Sequence, residues 1–342
     1  MTLSIPKFGP IACATAIGFA LAGPAAASTA CQVTDTGGID DNSFNQTAWK
    51  GVLDAKAEFG VEGRFLESQA ETDYEANINS LIDGACDVII TVGFLLGDAT
   101  AKAAKDNPDQ PFSIVDFAYD PTIPNVLGQV YATDEAAFLG GYLAAGMTET
   151  KILGTFGGIN IPPVTIFMDG FVKGVNHWNA VKGDNVTVLG WDLETREGLF
   201  TNNFDSLDDG RAFAQNLYDE GADIVLPVAG PVGLGSATLA DELGVDRLKI
   251  IGVDADLYFT DTERQHVYLT SITKRMDATV RDVIEMTLKG EFSGGLLVGT
   301  LENGGVDLAP FHDMEASVPD ELKAELAAIR AAIIDGSISV AD

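Results

Sequence analysis

Short apolar segments alternate with amphipathic segments along almost the whole chain, and this alternation limits the possible folds more than any other feature. Helical periodicity fills the gaps between the apolar segments, for example at 164–180 and 208–220. The predicted strands are 31–34, 63–67, 87–94, 111–116 and 126–132 in a first series, and 151–157, 186–191, 223–228 and 249–253 in a second. Strand–helix–strand units form parallel sheets with right-handed crossovers. The pattern therefore predicts an α/β protein with two parallel sheets and a cleft between them.

The first thirty residues have the composition of an export signal. They contain one lysine, no acidic residue, an apolar stretch at 11–22 and a run of small residues before Cys31, which predicts a signal peptide over 1–30. The apolar stretch is too short to span a bilayer, so we expect a protein released into the periplasm. Residues 28–31 resemble a lipoprotein cleavage box, but a serine stands where a large aliphatic residue is usual. A lipid anchor on Cys31 is therefore the less favoured alternative.

Two cysteines, Cys31 and Cys86, remain after removal of the signal peptide. Each stands near the beginning of a predicted strand, and these two strands should be parallel neighbours. A disulfide between them suits this placement and an oxidising compartment; two buried free thiols are the alternative. With so few sulfur and histidine ligands, a zinc site is disfavoured, and we expect no metal and no cofactor.

The charge of the chain excludes one class of partner. The sequence has 51 acidic and 20 basic residues, giving a formal net charge of −31. Such a chain repels nucleic acid. Its acidic residues are spread through predicted helices and loops, which is typical of a solvated surface. The 342 residues suffice for two domains of ordinary size.

The run 35–46 connects the first predicted strand to a helix and is the first candidate binding segment. Gly37 and Gly38 permit a tight turn. Ser43 and Gln46 have the spacing of a capping box, which predicts that a helix begins there. The free N–H groups of a helix N-terminus attract polar ligands. An ordinary strand-to-helix connection is the alternative interpretation.

Ligands of parallel α/β sheets bind beyond the carboxyl ends of the strands, and polar or glycine residues recur there in this chain. These candidates are Asp35, Gly93, Asp116, Gly230, Asp254 and Asp256. Phe44 and Phe204 are candidates for holding a flat heterocycle between two rings, and Lys274 follows a further apolar segment. Turn-forming aspartates, separately packed phenylalanines and a solvated lysine are the alternatives.

Seven segments together resemble the basic membrane protein family of substrate-binding proteins for ABC transporters, which includes bacterial purine nucleoside receptors. They are 35–46, 92–97, 132–143, 167–174, 229–235, 252–256 and 270–274. The resemblance implies a type I periplasmic binding protein fold, in which three crossovers join two Rossmann-like lobes. The implied N-terminal lobe is 31–132 plus about 257–290, and the C-terminal lobe is 133–256 plus about 291–342.

The same resemblance implies roles for individual residues. Phe44 and Phe204 would stack on a purine, and Asp35 and Asn45 would hydrogen-bond the edges of the base. The ribose hydroxyls would be held by Asp116, Gly230, Asp256 and Lys274, with Asp254 as an alternative acceptor. The implied partners are a small-molecule ligand and a membrane ABC permease, and a monomer without enzymatic activity is expected. Residues 193–203 depart from the family pattern as an insertion.

Three other functions compete with ligand delivery. A nucleoside hydrolase would use paired carboxylates, but the chain has no Gly-x-Ser-x-Gly motif. Its three histidines also lie outside the candidate segments; they are His177, His266 and His312. A dinucleotide-dependent oxidoreductase lacks its G-x-G-x-x-G signature. A ligand-sensing domain of a signalling receptor would use the same cleft with a different partner.

Overall fold

The computed structural model describes residue 1 and residues 27–340, so the predicted signal peptide lies almost entirely outside the described residues. The strands are β1 (Thr29–Val33), β2 (Glu62–Leu66), β3 (Val88–Val92), β4 (Phe112–Val115), β5 (Val126–Tyr131), β6 (Ile152–Gly157), β7 (Thr187–Leu189), β8 (Ile224–Val228), β9 (Lys249–Asp254), β10 (Tyr268–Lys274), β11 (Gly295–Gly299) and β12 (Val306–Leu308). The α-helices are α1 (Phe44–Phe59), α2 (Tyr74–Asp83), α3 (Gly97–Asp106), α4 (Thr133–Met147), α5 (Pro162–Lys182), α6 (Leu207–Asp219), α7 (Gly233–Leu243), α8 (Leu257–Thr260), α9 (Met276–Leu288) and α10 (Asp320–Ile334).

The strands of the described chain form two six-stranded sheets. The first has the order β11-β5-β4-β3-β1-β2, and its pairs are parallel. The second has the order β12-β10-β9-β8-β6-β7. It is parallel except for the antiparallel pair of β10 with β12. The predicted α/β fold with two parallel sheets is confirmed.

Strand β3 shows why apolar runs in this chain become central strands. All five of its residues are buried. Val88 and Ile90 belong to the same apolar cluster as Val52 of α1, whereas Ile89 belongs to the cluster that contains Ile78 of α2. A parallel strand covered by helices on both faces needs apolar side chains at every position.

The predicted disulfide between Cys31 and Cys86 is present. Cys31 lies on β1, Cys86 lies two residues before β3, and these strands pair in parallel. Both side chains are buried, with exposures of 0% and 4%. The sulfur of Cys31 in this bond is not available for a thioether to a lipid.

Two strands lie in a different sheet from the one that the predicted lobe boundaries assign. Strand β10, within 257–290, pairs with β9 in the second sheet. Strand β11, within 291–342, pairs with β5 in the first sheet. The chain therefore leaves the first sheet after β5, returns to it after β10 and crosses again between β11 and β12. The lobe boundaries were implied by the family resemblance, and the local residue pattern of β10 and β11 does not specify which sheet accepts each strand.

Helices α4 and α5 pack closely because glycines lie at their contact. A Cβ atom on Gly141 would lie 2.0 Å from the carbonyl oxygen of Phe171, and one on Gly174 would lie 2.0 Å from that of Phe138. Close approach of the two backbones fixes α5 beside the second sheet, with its N-terminal end near the gap between the sheets. No helix within the described residues is both long and apolar enough to cross a membrane.

Candidate ligand-binding cleft

A cavity lies between the two sheets, at the carboxyl ends of their strands. It leaves about 60 Å³ of space for water centres. Nine of the ten predicted binding residues line it: Asp35, Phe44, Asn45, Gly93, Asp116, Phe204, Gly230, Asp254 and Lys274. The geometry thus brings together residues that are up to 239 positions apart, the separation of Asp35 and Lys274.

Asp256, the tenth predicted residue, is not part of this cavity lining. Its carboxylate caps α8 by accepting a hydrogen bond from the backbone N–H of Tyr258. Its other oxygen lies 2.8 Å from Nε2 of His312. Of the two competing aspartates, Asp254 faces the cleft.

Helix α1 is capped by Asp41, a residue that the sequence analysis did not single out. Its carboxylate accepts hydrogen bonds from the backbone N–H groups of Ser43, Asn45 and Gln46 at 2.8–3.0 Å. The predicted capping box is not formed, because the Ser43 hydroxyl donates instead to the carbonyl of Val253 in the second sheet. Asp41 lies three residues before the first residue of α1, and an aspartate close before a helix was the sequence signal that could have identified this cap.

The amide nitrogen of Asn45 faces two carboxyl groups. Its Nδ2 donates to Asp35 Oδ1 at 2.7 Å and to Asp41 Oδ2 at 3.1 Å. Both amide hydrogens are thereby used. Its Oδ1 is buried and has no hydrogen-bond partner. This side chain therefore offers an acceptor, and no donor, to a ligand in the cleft.

Burial raises the pKa of both aspartates that contact Asn45. It raises the pKa of Asp41 to about 7, against the opposing effect of its N–H donors. Burial also raises the pKa of Asp35, again opposed by hydrogen bonds from Asn45 and Gly37. In both cases, the removal of the carboxylate charge from water raises the pKa by more than the hydrogen bonds lower it.

Lys274 joins the two sheets electrostatically. Its ammonium lies 2.6 Å from Asp116 Oδ2, beyond β4, and 3.3 Å from Asp254 Oδ1, at the end of β9. The side chain is 3% exposed. Burial by itself would lower the pKa of Lys274, but the attraction of the two carboxylates outweighs it and raises that pKa. The ammonium also lies 5.1 Å from the centre of the Phe44 ring.

Four cleft residues have left-handed backbones. Asp116 and Asp254 have φ of 63° and 69°, and Gly93 and Gly230 have φ of 124° and 53°. This conformation is unfavourable for a residue with a Cβ atom. Strained residues of this kind concentrate at functional sites. In this conformation the carboxylates of Asp116 and Asp254, at the ends of their strands, line the cleft.

The insertion noted in the sequence, at 193–203, directly precedes Phe204 of the cavity lining. The carboxylate of Asp169 on α5 accepts hydrogen bonds from Trp191 Nε1 at 2.8 Å and from the Arg196 guanidinium at 3.0 Å. Phe204 follows this clamped loop and packs on Gly158, where an added Cβ would lie 2.2 Å from the ring. The loop therefore holds Phe204 in place against the second sheet.

Several apolar lining residues were not predicted. They are Phe94, Leu95, Ile161, Pro163, Val164, Phe167, Val228, Ala229, Pro231 and Val253. Most of them also satisfy the apolar periodicity of ordinary core positions, so the sequence carries no separate signal for them. Among the described residues, no group of three or more His, Cys, Asp or Glu side chains is arranged to hold a metal ion.

Comparison with known proteins identifies a family. The sequence profile of Bmp, described as ABC transporter substrate-binding protein PnrA-like, matches residues 29–342. The chain is 32% identical over 324 residues to the ABC transporter nucleoside-binding protein BmpA of Lactococcus lactis, covering 90% of this chain and 87% of that protein. It is also 32% identical over 265 residues to basic membrane protein A of Borreliella burgdorferi, covering 77% and 73% of the two chains.

A solved structure supports the fold. The ABC transporter solute-binding protein from Aeropyrum pernix superimposes with a TM-score of 0.83 and 24% identity, covering 91% of this chain and 92% of that one. This superposition supports the fold described above. The matching family consists of substrate-binding proteins and not of enzymes. The chain belongs to the Bmp family of PnrA-like ABC transporter substrate-binding proteins.

Proposed function

We propose that this protein binds a purine nucleoside of the adenosine, guanosine or inosine type and delivers it unchanged to a membrane ABC permease. The observation that carries the proposal is the cleft itself. Phe44, the first residue of α1, and Phe204, which packs on Gly158 after β6, line one cavity together with buried carboxylates. Aromatic rings offer a face to a flat heterocycle, and carboxylates accept hydrogen bonds from sugar hydroxyls. The nucleoside-binding relative from Lactococcus lactis supports the same ligand class.

The polar groups near α1 support a base that donates hydrogen bonds. Asn45 Oδ1 is a buried acceptor without a partner, and leaving such a group unpaired costs about 1–3 kcal/mol. An amino or ring N–H group of a purine satisfies it. Adenosine is therefore expected to bind about tenfold more tightly than purine riboside, which lacks the 6-amino group.

Ligand entry requires the walls to separate. The closed cleft has about 60 Å³ of space for water centres, whereas ligand pockets usually measure about 300–1,000 Å³. The contacts that open are the Lys274–Asp116 ion pair and the hydrogen bond from Ser43 to Val253. The sugar hydroxyls then take over part of the hydrogen bonding of Asp116, Gly230, Asp254 and Lys274.

We propose that the protein acts outside the cytoplasm as a released monomer. The signal-like sequence before Cys31 and the involvement of Cys31 in a buried disulfide support export without a lipid anchor. Intact-mass measurement of the mature protein tests this point. A diacylglyceryl mass on Cys31 would overturn it, and native mass spectrometry reports the oligomeric state.

Calorimetric titration of the mature protein with adenosine, guanosine and inosine tests the ligand proposal. We expect saturable binding of at least one nucleoside and its recovery as intact nucleoside after denaturation of the complex. Absence of binding to all three would overturn the proposal. Release of free base from a bound nucleoside would instead support a hydrolase.

A further inference from the structure

A second cavity adjoins the cleft on the far side of the Lys274–Asp116 ion pair. It has about 250 Å³ of space for water centres, compared with about 60 Å³ in the first cavity. Phe94, Asp116, Pro163 and Lys274 line both cavities, which makes the two spaces neighbours. We call this second space the annex.

The walls of the annex are mainly apolar. Phe117, Tyr131 and Ile166 line the annex but not the first cavity. The hydroxyl of Tyr131 is bonded elsewhere, 2.6 Å from Thr279 Oγ1, so its ring is the part that serves as wall. Phe117 packs on Phe94 with ring centres 5.0 Å apart. A group that enters the annex therefore meets aromatic and aliphatic carbon.

One buried hydroxyl in the annex lacks a partner. Thr133, the first residue of α4, is 0% exposed and lines the annex. Its Oγ1 has no hydrogen-bond partner, although buried polar groups are almost always paired. The annex therefore combines apolar walls with one free polar group, as small-molecule sites do.

The lining residues that the two cavities do not share indicate where the annex lies relative to a bound nucleoside. Phe44, Asn45 and Phe204 line the first cavity and not the annex. A base held by these three residues lies at one end, the sugar lies at Asp116 and Lys274, and the annex follows beyond the sugar. The only exocyclic carbon of a ribose is C5′, so a substituent on C5′ is the part of a nucleoside that extends past the ion pair.

We propose that the annex is a subsite for an uncharged, mainly apolar substituent on C5′ of the nucleoside, such as a 5′-alkylthio group. This inference rests on the proposed function, because it takes the orientation of the base and sugar from it. Lys274 is the only cation of the annex lining within the described chain, and it is already paired with Asp116 and Asp254. An anionic substituent therefore finds no free positive partner there.

A ligand series tests the proposal with the wild-type mature protein. The nucleoside that binds most tightly is compared by calorimetry with its 5′-deoxy-5′-methylthio, ethylthio and propylthio derivatives. Each buried methylene group should tighten binding by up to about fourfold, because burial of one CH₂ contributes about 0.8 kcal/mol. The 5′-carboxymethylthio derivative, similar in length to the propylthio compound but anionic, should bind at least tenfold more weakly than the propylthio compound.

Substitution of Ile166 separates annex binding from nucleoside binding. The Ile166→Phe variant narrows the annex and should remove most of the gain from the alkylthio groups, while the affinity for the parent nucleoside changes by less than twofold. Ile166→Leu, which conserves volume, is the control and should retain the gain. Circular dichroism verifies that both variants fold.

Three outcomes have distinct meanings. Parent binding with progressively weaker binding of the alkylthio derivatives would overturn the annex proposal alone. An equal loss of parent and derivative affinity in Ile166→Phe would also overturn it, because the substitution would then act on the whole cleft. Failure of every nucleoside to bind the wild type would overturn the proposed function and the annex proposal with it.

Discussion

The two walls of the cleft differ in chemistry. The wall of the first sheet carries most of the polar side chains of the lining, which are Asp35, Asp41, Asn45 and Asp116. The wall of the second sheet is mainly apolar and contributes Ile161, Pro163, Val164, Phe167, Phe204, Val228, Pro231 and Val253. Its charged members are Asp254 and Lys274.

This difference assigns different tasks to the walls. On the first wall, Asn45 donates hydrogen bonds to both Asp35 and Asp41, so the orientation of these side chains is fixed before a ligand arrives. Such preorganisation lowers the cost of ordering side chains on binding. The second wall contributes apolar area, whose burial depends on closure, and the ammonium that reaches across to Asp116. We infer that selectivity for the base depends on the first wall and closure on the second.

The largest expected effect tests the ion pair that joins the walls. Lys274→Met leaves the carboxylates of Asp116 and Asp254 buried without their cation. Breaking a buried ion pair by removing one partner costs about 3–5 kcal/mol, and we expect a loss of that size in the free energy of unfolding measured with urea. Lys105→Met, at an exposed position, is the control. Equal stability of the two variants would show that the walls do not depend on this contact.

The next prediction concerns Asp41 on the first wall and the dependence of protein stability on pH. Burial raises the pKa of Asp41 from 3.8 to about 7, so the folded protein favours the protonated carboxyl group. The contribution of Asp41 to the free energy of unfolding is therefore largest below about pH 4, and it is lost as the pH rises through 7. The change amounts to at most about 4 kcal/mol.

Urea unfolding between pH 4 and pH 8 measures this dependence. Asp41→Asn should flatten the decline in stability, because asparagine does not titrate. Asp109→Asn, on the exposed surface, should leave the decline unchanged. An identical pH profile for wild type and Asp41→Asn would show that Asp41 is already ionised throughout this range.

A smaller effect compares one aromatic ring from each wall. Phe44→Ala and Phe204→Ala should each weaken nucleoside binding by about 1–3 kcal/mol, which is the range for stacking of one base on an aromatic side chain. Calorimetry measures both. Phe65→Ala, on β2 and 39% exposed, is the control outside the cleft. A loss in only one of the two cleft variants would show that one wall alone stacks on the base.

The smallest effect concerns the sugar. Asp116→Asn keeps an acceptor but removes the charge, so affinity for the nucleoside should fall by about 0.5–1.5 kcal/mol, the range of the net contribution of a hydrogen bond. Affinity for the free purine base should stay unchanged, because the proposed binding mode places the sugar, and not the base, at Asp116. Calorimetric titration of both ligands measures the difference. Equal losses for base and nucleoside would place the role of Asp116 in wall closure instead of sugar binding.

The sequence predicted strands β1 to β9 and most of the candidate cavity lining, but it did not predict strands β10, β11 and β12. Strands such as β8 were predicted to within one residue of each end, because an apolar run between helical segments has few other stable structures. The positions of Asp35 and Asp116 followed from the rule that parallel strands present their carboxyl ends at one edge. Helix and strand periodicities depend on residues that are close together in the chain, so they can be recognised from the sequence alone.

The tertiary structure alone decided which groups contact each other across the cleft. It placed β10 in the second sheet, which brings Lys274 to Asp116 across the cleft. It also turned Asp256 towards His312 and made Asp41 the cap of α1. These outcomes depend on contacts between residues far apart in the chain. The free energy of such contacts comes from burial and from charges brought together by packing, and neither is a property of the local residue pattern.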